Sequence, residues 1–303
     1  MLILIVFYIG MSFLYPSPVR GGYEDMNGGS SSGSTDLPEE PDEDVGDDQK
    51  TIPMDPIELI NYALDIYNNG KGSYSTFKQT VSVKLSFGEL SGSGQQYATG
   101  SVYRCGKQNM EETSYSYGNL DPAWMEDMAL KYNVLKVGSR SINVDEEKDK
   151  VYFVEQNRDG TISTSTSTIK EGIDKFKIIY SMEFPLEISN KTVAVKKYDT
   201  RSNKSYSIIT VSYKLNKLTD NALNYLHANS AYRNVTYTGY EYTFMISKKT
   251  GKLARMIREE TFVSHGNGAA SALQLSSKSV FQQDFVVMDK EVEVKKPYLA
   301  YIK

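Results

Sequence analysis

Short runs of alternating apolar and polar residues, separated by glycine-bearing turns, are the pattern that most limits what this chain can become. Phe77, Val81, Val83, Leu85 and Phe87 are apolar, and Lys78, Thr80, Ser82, Lys84 and Ser86 fall between them. Successive strand residues point to opposite faces, so this period of two predicts an antiparallel strand with one face covered and one wet. Ser91-Gly92-Ser93-Gly94 then reads as a turn into a second strand over Tyr97–Cys105, with a third over Glu111–Tyr117. Val151-Tyr152-Phe153-Val154 is a further strand, turned by Asn157-Arg158-Asp159-Gly160 into Thr161–Thr168. Val193 and Val195 open another, turned by Asp199–Asn203 into Ile209, Val211, Tyr213 and Leu215. Tyr240, Tyr242, Phe244 and Ile246 line one face of the next strand, which Lys249-Thr250-Gly251 turns into Leu253–Val263. Gly266-Asn267-Gly268 breaks the chain before a last strand with Phe281, Phe285 and Val287 on one side. Twenty-three tyrosines and many Ser, Thr and Val suit half-exposed strands.

Helical spacing is confined to a few places. Asp55-Pro56 reads as an N-cap with proline at the first helical position, followed by Ile57, Ile60, Leu64 and Tyr67. Asn68-Asn69-Gly70 ends that helix. Ile169–Tyr180 and the segment carrying Leu218, Ala222, Leu223 and Leu226 have the same period, and a short helix or aromatic-bearing loop fits Asp121–Met125. Strands and helices without βαβ alternation predict an α+β domain, built as one curved antiparallel sheet or two related halves.

Ahead of this body lies a different kind of chain. Residues 1–15 carry an apolar run, Leu2 to Tyr15, shorter than the roughly 20 residues of a spanning helix. It has the length of a signal-peptide apolar region without a basic stretch before it, and reads as a signal or anchor segment. Residues 16–50 hold Gly/Ser runs and the acidic block Glu39-Glu40-Pro41-Asp42-Glu43-Asp44, the composition of a disordered tether. At Gly-rich stiffness about 35 such residues reach roughly 30–35 Å. The expectation is an extracytoplasmic domain over residues 51–303, secreted or held to the membrane through its N-terminal segment. Ten of the 38 acidic residues precede residue 51, against two of the 34 Lys and Arg, so the body is mildly basic. No basic stripe interleaved with aromatics argues for nucleic acid.

Reactive chemistry is sparse. One cysteine, Cys105, excludes an internal disulfide, and two histidines, His227 and His265, are too few for a multi-histidine metal site. No phosphate-binding glycine motif, zinc-protease motif or nucleophile elbow is present. His265 reads as a loop residue and Cys105 as an unreactive strand thiol. Glu111-Glu112, Asp145-Glu146-Glu147 and Asp289-Lys290-Glu291 read as solvated turns rather than an acid pair. The domain is therefore expected to be non-enzymatic, with no cofactor and no metal.

The layout resembles the half-barrel lipoprotein-carrier superfamily, the outer-membrane lipoprotein chaperone and its Gram-positive secreted relatives. The residues that carry the resemblance are Phe77-Lys78-Gln79-Thr80-Val81-Ser82-Val83 after the first helix and Val151-Tyr152-Phe153 mid-chain. To these add Tyr240-Glu241-Tyr242-Thr243-Phe244 running through Lys249-Thr250-Gly251-Lys252-Leu253, and the ending from Phe281 to Val294 and Pro297. It spans most of residues 55–297 as a pattern, and no cysteine follows the apolar head to serve as a lipid-attachment site. The resemblance implies a strongly curved antiparallel sheet, an open half-barrel, with helices packed on its concave face and a lipid or acyl ligand held between them. Val81, Val83, Leu85, Phe87, Trp124, Tyr240, Tyr242, Phe244, Phe281 and Phe285 are the candidate ligand-binding residues. The alternative is a structural, adhesion or glycan-binding module, in which Tyr115/Tyr117 and Tyr240/Tyr242 form exposed aromatic rows.

Overall fold

The computed structural model describes residues 51–87, 89–121, 138–156, 159–171, 188–217, 235–265 and 273–301. The expected anchor, tether, Trp124, His227 and the helix around Leu218–Leu226 lie outside these residues, as does most of the segment Ile169–Tyr180. Helix α1 spans Pro56–Asn69 and starts where the sequence places it. The Asp55 carboxylate accepts hydrogen bonds from the backbone N–H groups of Ile57 and Glu58 at 2.9 and 3.0 Å, a cap that contributes about 1 kcal/mol.

Among the described residues eleven strands follow: β1 (Gly72–Phe87), β2 (Leu90–Cys105), β3 (Gln108–Asp121), β4 (Gly138–Asp145), β5 (Lys150–Gln156), β6 (Ile162–Ser167), β7 (Val193–Asp199), β8 (Tyr206–Tyr213), β9 (Val235–Ser247), β10 (Leu253–His265) and β11 (Leu273–Met288). They form a single antiparallel sheet in the order β6-β5-β4-β3-β2-β1-β11-β10-β9-β8-β7. The sheet is open, and the two halves of the chain join where β1 pairs with β11 along its whole length. Its edge strands, β6 and β7, are consecutive in the chain.

Residues paired directly across an antiparallel ladder share a face, so the registers divide the sheet into two surfaces. One bears α1. Ile57, Ile60, Leu64 and Tyr67 pack there with Phe77, Val102, Val211, Phe244, Phe281 and Phe285 in one continuous core. Tyr67 meets Phe285 edge-on at 5.5 Å between ring centres, and Asn61 Nδ2 donates to the Ile188 carbonyl at 3.0 Å. The opposite surface has a smaller cluster of Tyr206, Met245 and Ala254. Beyond Met288 the chain follows it too: Asn143 Nδ2 donates to the Lys295 carbonyl at 2.7 Å, and Tyr298 stacks on Tyr152 at 4.0 Å.

Several expectations are corrected. Ser91–Gly94 is not a turn: β1 ends at Phe87, β2 begins at Leu90, and Gly92 and Gly94 pair with Leu85 and Val83. The long ladder outweighs the local turn preference of Gly and Ser. Val287 does not share a side with Phe281 and Phe285. A register shift between Tyr74 and Ser75 opposite β11 pairs Phe285 with Ser75 and Val287 with Tyr74. This bulge turns Val287 to the other face and puts Met288 in the core beside α1. His265 is the last residue of β10, paired with Gln274, rather than a loop residue.

Gly251 joins helix to sheet. It adopts φ +70°, a conformation that disfavours any side chain. A Cβ there would also stand 2.4 Å from the Tyr62 ring of α1. Gly251→Ala should therefore lower stability by about 1–3 kcal/mol, the combined range for backbone strain and a forced contact, read as a lower urea midpoint at unchanged slope. A midpoint equal to the wild-type value would contradict this close approach.

Candidate functional site

The α1-bearing face is the candidate site, because it collects most of the candidate ligand-binding residues. Val81, Val83, Phe281 and Phe285 on β1 and β11, and Tyr240, Tyr242 and Phe244 on β9, all fall on it by register. Leu85 and Phe87 take backbone positions opposite Leu275 and Leu273. Phe244 is fully buried, and Val83, Tyr240, Tyr242, Phe281 and Phe285 are buried. Tyr240 and Tyr242 pack edge-on against each other at 5.6 Å and against Tyr213 at 5.4 and 6.0 Å. They are core packing rather than an exposed stacking row. Tyr115 is likewise buried.

The same face carries polar groups that the apolar pattern hides. Gln283, flanked by Phe281 and Phe285 at every second position, is 0 % exposed. Its Nε2 donates to Ser75 Oγ at 2.7 Å, while its Oε1 is buried without a partner. Ser277, Ser279, Gln96 and Glu260 are also buried. By register they form rows with Phe262, Val83, Val81 and Tyr240. Gln79 Nε2 donates to Ser279 Oγ at 3.0 Å. Arg258 holds its guanidinium 5.2 Å from the centre of the Phe281 ring, a cation–π contact.

A second polar centre lies towards β4. Glu111 is no solvated turn residue: it sits within β3, and its Oε1 accepts from Arg140 Nη2 at 3.3 Å and from Thr113 Oγ1 at 2.8 Å. The Arg140 guanidinium also stands 5.8 Å from the Tyr115 ring centre. Burial opposes the Arg140 charge, but Tyr115, Glu111 and Glu155 hold its pKa above the usual arginine value. Asp145, read as solvated, is buried at the end of β4. Its carboxylate accepts from Lys148 Nζ at 2.6 Å, and hydrogen bonds from Lys148 and Gln108 lower its pKa to about 2.

Strand alternation held the signal for these residues. Met256, Arg258, Glu260 and Phe262 share one face of β10, so charges interleaved among core residues mark a surface that is not a plain apolar core. Among the described residues no group of three His, Cys, Asp or Glu could hold a metal ion. Cys105 is a half-buried free thiol at the end of β2.

Burial acts on the tyrosines of this face in one direction. It pushes Tyr67 and Tyr115 up to about 12, against the lowering effect of Arg104 and Arg140. It raises Tyr213 and Tyr240 further, each with Tyr242 adding to the rise, and Tyr242 itself against the pull of Arg258. Unfolded tyrosine ionises near pH 10. The folded state holds these phenols neutral, so their contribution to stability is complete below about pH 10 and is lost as pH rises through the folded values. The expected result is cooperative loss of the far-ultraviolet circular dichroism signal above about pH 10, accompanied by a late step of tyrosinate absorbance. Titration of all tyrosines in one step near pH 10, with the signal intact, would contradict it.

No protein-family model matches the sequence, and no curated protein matches it. Similar solved structures include a LolA superfamily protein from Nitrosomonas europaea, at TM-score 0.25 and 8 % identity over 83 % of this chain and 99 % of that one. A putative outer membrane lipoprotein-sorting protein domain from Vibrio parahaemolyticus aligns at TM-score 0.27 and 9 % identity, over 81 % and 96 %. Lipovitellin aligns at TM-score 0.36 and 8 % identity, over 75 % of this chain and 26 % of its own. These likenesses include the superfamily that the sequence resembles.

Proposed function

We propose that this protein is a non-enzymatic extracytoplasmic domain, secreted or tethered to the membrane by its N-terminal segment, that holds a lipid or other apolar ligand on the α1-bearing sheet face, beside the helix. The observation that carries this reading is the mixed lining of that face away from the α1 core. Val83, Phe262 and Leu275 lie there beside Ser277, Ser279, Gln96 and Glu260, all of them buried. Gln283 Oε1 on the same face is buried without a partner, which costs roughly 1–3 kcal/mol, so a face that only had to pack a core would favour apolar side chains. Ligand sites combine such an apolar lining with a few placed polar groups. Among the described residues no helix is long and apolar enough to cross a membrane; the proposed anchor is the apolar run of residues 1–15, with residues 16–50 as the tether.

The test is native mass spectrometry of the full chain purified from cells, with lipid extraction of the same sample. A reproducible adduct of lipid mass, released on denaturation, is the expected result and names the ligand class. A ligand-free mass that added lipids leave unchanged would sink the carrier reading.

A further inference from the structure

Resting on the tethered form of that reading, we propose that the β7 edge of the sheet is a membrane-docking surface, fitted to a bilayer that carries anionic lipid. Among the described residues β7 ends the strand order, and the chain enters the domain beside it. The Tyr198 hydroxyl on β7 donates to the Met54 carbonyl at 3.0 Å, one residue before the N-cap of α1 at Asp55. Three of the seven large apolar side chains exposed among the described residues gather there: Met54 at 87 %, Val195 at 38 % and Tyr198 at 38 %. Val195 and Tyr198 pair with Val211 and Ile209, so both lie on the α1-bearing side of the edge.

Charge completes the patch. Residues 189–204 hold Lys191, Lys196, Lys197, Arg201 and Lys204, all exposed, against a single acid, Asp199. Asp199 is engaged within its own turn, where it accepts from the backbone N–H groups of Arg201 and Ser202 at 2.9 and 3.0 Å and from Ser202 Oγ. The register slips between Val195 and Lys197, and a bulge with lysines keeps an edge strand from pairing with another strand. That protection does not call for exposed apolar side chains beside it. A bilayer surface accommodates both: its interface takes tyrosine and apolar tips, and anionic lipids attract Lys and Arg, each contributing roughly five-fold in binding. The acidic block at residues 39–44 offers carboxylates but little apolar surface, so it matches only half of the patch.

The test binds the full chain to vesicles of phosphatidylcholine alone and to vesicles with about one-third phosphatidylglycerol, and follows backbone hydrogen exchange by mass spectrometry. Anionic vesicles are expected to slow exchange at residues 51–55 and in β7 at least about five-fold relative to neutral ones, an effect lost towards about 0.5 M salt. Lys196→Gln/Lys197→Gln should abolish the slowing and leave the thermal melt unchanged, because both positions are exposed. Attachment to both kinds of vesicle with equal exchange in β7 overturns the docking surface and leaves the N-terminal anchor standing. Attachment to anionic vesicles alone, abolished by the double variant, supports the docking surface and sinks the anchor. Attachment to neither overturns both. Exchange in β7 that is equally slow without vesicles, and released by salt, would put the acidic block on this edge and overturn membrane docking.

Discussion

Glu111→Leu should destabilise the domain by about 3–5 kcal/mol, the range for stripping one partner from a buried ion pair. Arg140 and Glu111 have side chains only 11 % and 15 % exposed. Removing Glu111 takes away the oxygen that accepts from both Arg140 and Thr113, and leaves the guanidinium in a site that water hardly reaches. The double variant Glu111→Leu/Arg140→Met removes the charge along with its partner and should recover much of the loss, because apolar groups of similar size can replace a buried pair. Urea denaturation of the wild type, both single variants and the double variant closes the cycle. A double variant as unstable as the sum of the singles would mean that the two side chains act independently.

Phe244→Ala should cost about 3–5 kcal/mol, the range for deleting a large aromatic side chain from a packed interior. Phe244 is fully buried towards the C-terminal end of β9, paired with Met256 on one side and Ile209 on the other, and stacked on Tyr242 at 5.6 Å. It packs in the same core as α1, so the cavity would open between sheet and helix. The expected readout is a large drop in urea midpoint. A fall below about 1 kcal/mol would show that this face collapses around the gap, and the α1 core would then be looser than its burial implies.

Local chemistry made part of this fold legible. Asp55-Pro56 announced α1 because a carboxylate cap and a proline without an N–H both suit the first turn of a helix. Turns at Asp199–Asn203 and Lys249–Gly251 stood out because their residues satisfy or bend the backbone locally. Strand β4 was not read from the sequence. Five of its eight residues, Ser141, Ile142, Asn143, Val144 and Asp145, are buried in succession. Both faces of that strand are covered, so the period of two is absent. Glu111 looked solvated for a related reason: its partner Arg140 is 29 residues away and meets it only across the β3–β4 ladder.

The candidate site divides the same way. Val81, Val83, Tyr240, Tyr242, Phe244, Phe281 and Phe285 could be named from alternation, which assigns each to a face of its own strand. That these faces coincide depends on β1 pairing with β11, a contact between residues about 200 positions apart, and no local pattern encodes which distant strands pair. Gln283 and Glu260 reached the covered face through registers counted from those pairings, and one bulge was enough to exchange Val287 for Met288. By itself the sequence determined the helix, the turns, most strands and the antiparallel class, because these follow from capping, backbone preference and side-chain period. Only the tertiary structure decided the strand order, the register and the buried polar residues among the apolar ones, because those depend on ladders that close across the whole chain.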